Sequence, residues 1–315
     1  MSRPRVSVIV PMFNGAELVP DCHAALAPVL DLLDGGAEVV YVDDGSTDDT
    51  IGVLRRLQAT DPRVRIVELA ANFGQHAAFT AGFEHAHGRF LVTLDADLQC
   101  DPADIPRMIE PLTKGFDLVS GVRLNRQDPG ARRLFSRATT SIVSRLAGVE
   151  LRDIGCPLNA FTDDVARSLA PFGELRRFLK PIAVRVARRV TEVEVQHRPR
   201  PKRRGSSYSA TGLVRLFMDF FVNAIGDVFA WLFVIAAALA ALTLVGAVLL
   251  VVVGTLPGTS PLLLPSGVWM FFFSIQATLL ALFGLAGDYI QRIYRQSSGR
   301  PFYLVRRVYD DGAAR

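Results

Sequence analysis

The sequence predicts an α/β domain built on a parallel sheet, followed by a C-terminal hairpin of two transmembrane helices. Three observations predict it. Short β-branched runs alternate with helix-like stretches through the first third of the chain. Polar residues gather at the same end of each run. From Val228 to Gly287 there is no Asp, Glu, Lys or Arg.

Residues 6–10, VSVIV, are continuous and β-branched, as in a strand buried on both faces. A helix-like stretch covers roughly 16–34. AEVVYVDDGSTDDT makes a second strand that runs into Asp43 and Asp44, with Ser46 or Thr47 placed to cap the helix DTIGVLRRLQA. Strand-like VRIVELA (64–70), helix-like GQHAAFTAGFEHA (74–86) and strand-like RFLVTLDAD (89–97) follow. Strands alternating with helices imply right-handed parallel connections. In such sheets ligands bind at the carboxyl ends of the strands. Pro11–Asn14, Asp43–Asp44, Asn72 and Asp95–Asp97 all fall there, so four strands bring polar groups to one rim. Beyond Pro106 the pattern gives a short helix and a strand at 117–123. A helix at 131–148 with a basic side comes next, then an alternating strand at 190–200.

The membrane reading rests on length and charge. Residues 229–253 are apolar and would be about 37 Å long as a helix, enough to cross a bilayer with tilt. Pro257, Pro261 and Pro265 break the run, and a second span covers about 267–289. Trp231 and Trp269 stand near the starts of the spans, where aromatic belts occur. Arg203, Arg204 and Arg215 precede the hairpin; Arg292, Arg295, Arg300, Arg306 and Arg307 follow it. The positive-inside rule then puts both ends in the cytoplasm of a multi-pass inner (plasma) membrane protein. Residues 209–226 carry Leu213, Leu216, Phe217, Phe220, Phe221 and Ala224 on one helical face. That suits a helix lying in the interface or, as the alternative, one packed on a core. The expected organisation is a cytoplasmic domain at 1–208, an interfacial helix at 209–226, two spans within 227–290, and a basic tail at 291–315.

The net charge of +4 would suit nucleic acid or an anionic membrane. No zinc-finger spacing or RNA-binding aromatic signature is present, so the membrane is favoured and nucleic acid is excluded. Cys22, Cys100 and Cys156 are far apart in sequence and form no C-x-x-C, which fits a reducing compartment and buried structural thiols. The five histidines make no H-E-x-x-H motif, and His85 and His87 read as structural. VSVIVPMF is too short for a signal peptide and is cut by Pro11.

The stretch LVTLDADLQCD places Asp95 and Asp97 one residue apart at a strand end. In an extended segment they face the same way, and two close carboxylates repel unless a cation neutralises them. Mg²⁺ or Mn²⁺ prefers oxygen ligands and is commonly held by one or two carboxylates plus substrate phosphates. Gln99 can add a third oxygen.

VPMFN, VDDGSTDD, NFGQHAAFTAGF and LDADLQ, in this order and spacing, resemble the inverting nucleotide-sugar glycosyltransferases of family 2, with a Rossmann-like GT-A fold. That resemblance implies that Pro11, Phe13, Asn14, Glu17, Asp44, Asn72 and Asp95 hold the nucleotide-sugar, and that Asp95, Asp97 and Gln99 hold the metal. SGVRLNRQD, then Arg132 and Ser136, DIGCPLNAF and EVEVQHRPR are similar to polyprenyl-phosphate glycosyltransferases. These include dolichol-phosphate mannosyltransferase and the bacterial undecaprenyl-phosphate glucosyl and aminoarabinose transferases. The resemblance implies catalytic roles for Asp97, Arg123, Arg132 and Ser136, the arginines and serine meeting the lipid phosphate. GLAGDYIQRIYRQSSGRPFYLV resembles the tail of two-span bacterial members, and related members also form homo-oligomers. The sequence departs from the family pattern at Gly15, Asn159, Arg204 and Ser207, and in LQCDPAD. The sugar stays open, with RLNRQD leaning toward the aminoarabinose branch and a UDP donor. Two other readings remain: an inactive membrane-bound scaffold, and a processive polysaccharide synthase. The latter lacks its Q-x-x-R-W motif, because both tryptophans lie in the spans.

Overall fold

The computed structural model describes residues 4–124, 151–153, 155–169, 179–197, 302–310 and 313–314, with scattered positions in 238–254 and 268–290. The chain divides into two compact units, Met1–Ser209 with Pro301–Arg315, and Ala210–Arg300.

In the first unit, strands β1 (Val6–Met12), β2 (Ala37–Asp43), β3 (Val64–Leu69) and β4 (Phe90–Thr93) alternate with helices α1 (Val19–Leu32), α2 (Thr50–Gln58) and α3 (Gln75–His85). A 3₁₀ turn (Pro102–Asp104) and α4 (Ile105–Thr113) lead into β5 (Leu118–Arg123). Then come β6 (Asn159–Thr162), α5 (Asp163–Ser168), α6 (Leu179–Val186) and β7 (Val190–Val195). Beyond the second unit lie β8 (Val305–Asp310) and β9 (Ala313–Ala314).

The nine strands make one sheet in the order β7-β5-β6-β4-β1-β2-β3-β8-β9. The sheet is mixed, not parallel throughout as expected. β6 runs antiparallel to both β4 and β5, and β8 runs antiparallel to β3. β6 and β8 were not foreseen as strands. A four-residue strand carries too little alternation to stand out, and both are selected by ladders with partners far away in sequence.

Alternation along the strands divides the core between two faces. Val8, Val10, Val39, Tyr41, Ile66 and Val92 pack with α1, α2 and α4 through Leu26, Leu54 and Met108. Ile9, Val40, Val42, Val67, Leu91 and Phe161 pack with α3, α5 and α6 through Phe79, Phe83, Val165 and Val184. The edge strand β8 is locked to β3 by polar contacts. Tyr309 Oη donates to Glu68 Oε2 at 2.9 Å, Arg306 Nη1 donates to Glu68 Oε1 at 3.1 Å, and Arg65 pairs with Asp310. Part of the stretch expected to be a basic tail is therefore sheet.

In the second unit, the described positions in 238–254 and 268–290 are helical, and large apolar side chains there are exposed, Phe273 at 68% and Phe283 at 74%. Among the described residues no helix is long and apolar enough to cross a membrane. The spans expected at 229–253 and 267–289 fall partly outside those residues. The helix expected at 209–226 lies wholly outside them, as does the helix at 131–148.

Candidate active site

The carboxyl ends of β1 to β5 lie on one rim of the sheet, since these strands run parallel to one another with β6 reversed between β4 and β5. Three loops on this rim are joined by hydrogen bonds. After β1, Asn14 adopts φ 46°, a left-handed conformation that asparagine tolerates better than most residues. Its backbone N–H donates to Ser46 Oγ at 2.9 Å, and its Oδ1 accepts from Thr47 N at 2.8 Å. Gly15 N donates to Thr50 Oγ1 at 2.9 Å and Ala16 N donates to Asp48 Oδ2 at 3.2 Å. The β1 and β2 loops thus form one surface. Ser46 and Thr47 do not cap α2 as expected. Asp49 occupies the cap position without a side-chain cap bond, because the Ser46 and Thr47 hydroxyls are turned to the Asn14 loop.

The β2 loop is equally bound to the β3 loop. Asp44, 3% exposed, accepts from Phe73 N and Gly74 N, one on each oxygen, both at 2.8 Å. Burial raises its carboxyl above the usual range, and the two backbone N–H groups oppose that rise. Asp44 therefore builds the rim as well as facing it. Its neighbour Asp43 is also raised by burial, accepts from Ser46 N at 3.1 Å, and keeps a buried Oδ1 without a hydrogen-bond partner. Gly45, at φ 65°, lies so close to the β3 loop that a Cβ there would be 2.3 Å from the Ala71 carbonyl carbon.

Pro11 is half-buried within the β1 ladder, paired with Val42. Phe13 is 44% exposed, an aromatic face left open on the rim. Glu17 and Asn72 are exposed on the β1 and β3 loops.

The acidic pair is arranged differently from expectation. β4 ends at Thr93, and Asp95–Gln99 is a turn, not extended chain. Leu98 takes φ 54°, Leu98 N lies 3.4 Å from Asp95 O, and Gln99 N donates to Asp97 Oδ1 at 3.2 Å. Asp95, Asp97 and Gln99 are therefore grouped by a turn and are all half-buried. Gln75, which sequence reasoning passed over, donates from Nε2 to Asp95 Oδ1 at 2.5 Å and so links the start of α3 to the acidic turn. The one available signal was its place directly after the helix-opening Gly74.

Among the described residues, no three His, Cys, Asp or Glu side chains are grouped to hold a metal. Two carboxylates and an amide oxygen on one turn nonetheless suit a hard divalent ion that takes its other ligands from phosphates and water. The donor set fits Mg²⁺ or Mn²⁺.

Arg123, at the end of β5, pairs bidentately with Asp153: Nε–Oδ2 is 2.7 Å and Nη2–Oδ1 is 2.9 Å. Arg132 and Ser136 lie outside the described residues. Asn159 Nδ2 donates to the carbonyls of Cys156 and Pro157 at 3.0 and 3.2 Å, while its buried Oδ1 has no partner. Cys100 and Cys156, distant in sequence, meet with sulfurs 4.0 Å apart; all three cysteines are free and buried.

A sequence profile described as Glycosyl transferase family 2 matches residues 7–165. This chain belongs to glycosyl transferase family 2. The glycosyltransferase is 34% identical, over 98% of its length and 95% of the relative's, to undecaprenyl-phosphate 4-deoxy-4-formamido-L-arabinose transferase of Sodalis glossinidius (strain morsitans). It is 33% identical to the protein of that name from Pseudomonas syringae pv. syringae (strain B728a), covering 96% and 90% of the two chains. For the one from Yersinia pestis (strain Pestoides F) the identity is 34%, with coverage of 96% and 93%. In fold, the glycosyltransferase is similar to M. tuberculosis glucosyl-3-phosphoglycerate synthase. The TM-score is 0.50 at 21% identity, covering 71% of this chain and 81% of that one. The fold is thus GT-A-like, α/β with a mixed sheet.

Proposed function

We propose that this glycosyltransferase moves a sugar, with inversion, from a UDP-linked donor to undecaprenyl phosphate at the cytoplasmic face of a membrane. The observation that carries the reading is the near-complete overlap, at 34% identity, with transferases named for undecaprenyl phosphate. The geometry supports it. A rim of interlocked loops with an exposed Phe13, next to an all-oxygen acidic turn, suits a nucleoside diphosphate.

In this reading the Asn14 loop, Phe13, Pro11, Glu17 and Asn72 hold the nucleotide, and Asp44 fixes the loops that shape its pocket. Asp95, Asp97 and Gln99 hold Mg²⁺ or Mn²⁺. The bound ion supplies positive charge against the leaving diphosphate. Gln75 orients Asp95. The acceptor is a phosphate monoester, largely dianionic at neutral pH because its second pKa is about 6. It attacks the anomeric carbon without a strong base, so the protein's task is to position one anion beside another. Arg123, Arg132 and Ser136 take that task, since a guanidinium suits phosphate bidentately. The apolar segments of 227–290 anchor the enzyme where a polyprenyl chain resides, each buried CH₂ being worth about 0.8 kcal/mol.

The test is a donor screen. Detergent-purified enzyme, undecaprenyl phosphate and Mg²⁺ are mixed with labelled UDP- and GDP-sugars, UDP-4-deoxy-4-formamido-L-arabinose among them. Label in the organic phase is then counted. Metal-dependent label from one donor is expected, lost in Asp97→Asn with folding retained. Transfer by Asp97→Asn equal to that of the parent would refute the metal assignment. No label from any donor would favour the inactive-scaffold reading.

A further inference from the structure

Lys180 is a charged side chain in an apolar setting. It sits in the sequence FLKPIAV and is 6% exposed. Lysine is almost never fully buried unless something compensates its charge. Its Nζ donates to the backbone carbonyl of Asp153 at 2.5 Å. The side chain of that same residue binds Arg123 bidentately, and Gly155 N donates to Asp153 Oδ1 at 3.1 Å. Two cations thus converge on Asp153, one through its main chain and one through its carboxylate. Burial lowers the Lys180 ammonium below the usual lysine value, while Cys156, Asp153 and Glu192 oppose that fall. Glu192 is already paired with Arg152.

A loop staple needs only a hydrogen-bond donor. A buried ammonium costs far more than a neutral donor would. Counting Arg123, Lys180 and Asp153 leaves one positive charge in excess, at the rim beside the acidic turn. We infer that Lys180 is a positioning residue for the acceptor: it fixes the Asp153 backbone that aims Arg123, and its charge keeps the Arg123–Asp153 pair attractive to the phosphate of a polyprenyl phosphate. The inference rests on the functional reading above, in which Arg123 meets that phosphate.

The test measures binding of undecaprenyl phosphate in detergent micelles to the full chain, with undecaprenol as the uncharged control. No donor sugar is needed. Lys180→Met and Lys180→Gln are each expected to weaken phosphate-dependent binding about tenfold, the scale of one charge-assisted contact. Undecaprenol binding stays as in the parent. Lys180→Gln keeps a donor for the Asp153 carbonyl, so it separates charge from stapling and stands in should Lys180→Met not fold. The double variant Arg123→Met/Lys180→Met is expected to bind no more weakly than Arg123→Met alone, because Lys180 acts through Arg123. Parent-like binding by Lys180→Gln, or full additivity in the double variant, overturns the inference and leaves the function standing. Failure of the parent to distinguish undecaprenyl phosphate from undecaprenol overturns both.

Discussion

Replacing Gly45 by alanine tests whether the nucleotide rim is built by close backbone approach. Two costs add at this position. The residue sits at φ 65°, where any Cβ costs roughly 1–2 kcal/mol. The new Cβ would also lie 2.3 Å from the Ala71 carbonyl carbon and 2.6 Å from Asn72 N, and backbone cannot swing aside as a flexible side chain can. Overpacking of this kind costs about 1–3 kcal/mol, so the sum is about 2–5 kcal/mol. Gly36 is the control: its φ is 82°, but an added Cβ would meet nothing within 4 Å, so only the first cost applies. Hydrogen exchange read by mass spectrometry suits the comparison, because it resolves local opening. Indole fluorescence does not, since both tryptophans lie at 231 and 269, outside the catalytic unit. Gly45→Ala should speed exchange in peptides covering 43–47 and 69–75 and raise the KM for the nucleotide-sugar more than that for the lipid. Gly36→Ala should leave both KM values unchanged. Equal effects of the two substitutions on exchange and KM would refute the close packing of the β2 and β3 loops.

Burial lowers the pKa of His23 below 6.5, with Asp61 opposing. A lowered folded-state value means the unfolded chain takes up the proton first. The stability is therefore fully present above 6.5 and lost as the pH falls through 6.5 toward the folded value. His23→Asn should flatten the fall in thermal stability between about pH 7 and pH 5. Asp153→Asn removes the carboxylate from the Arg123 guanidinium, whose side chain is only 12% exposed. It should cost about 3–5 kcal/mol in denaturant titration. Tyr309→Phe removes the hydrogen bond to Glu68, a buried contact to a charged group worth about 1.5–3 kcal/mol. Exchange in a peptide covering Val64–Leu69 should accelerate.

The alternation of strands and helices was legible because β1 to β4 are buried on both faces, and their apolar runs say so locally. The rim was legible for the same reason: a strand that ends in VDD or LDAD reveals where its polar end lies. The shape of the acidic turn was not. Leu98 with a positive φ breaks the extended geometry that the i, i+2 spacing suggested, and no residue type announces it. The meeting of Cys100 with Cys156, and of Lys180 with Asp153, follows from how β5, β6 and α6 are layered, which no local period encodes. Arg132 and Ser136 rest on resemblance alone.

The antiparallel strand β8 has a consequence for biosynthesis. Roughly a hundred residues separate Ser209 from Val305, and at 5–20 residues per second the ribosome needs about 5–20 s to make them. During that interval β3 is an open edge, able to pair with any strand nearby. Arg65 and Glu68 make that edge charged, a common guard against wrong pairing. When β8 emerges it brings Asp310 for Arg65, and Arg306 and Tyr309 for Glu68. The residues that repel strangers during synthesis become the recognition code for the strand that belongs there.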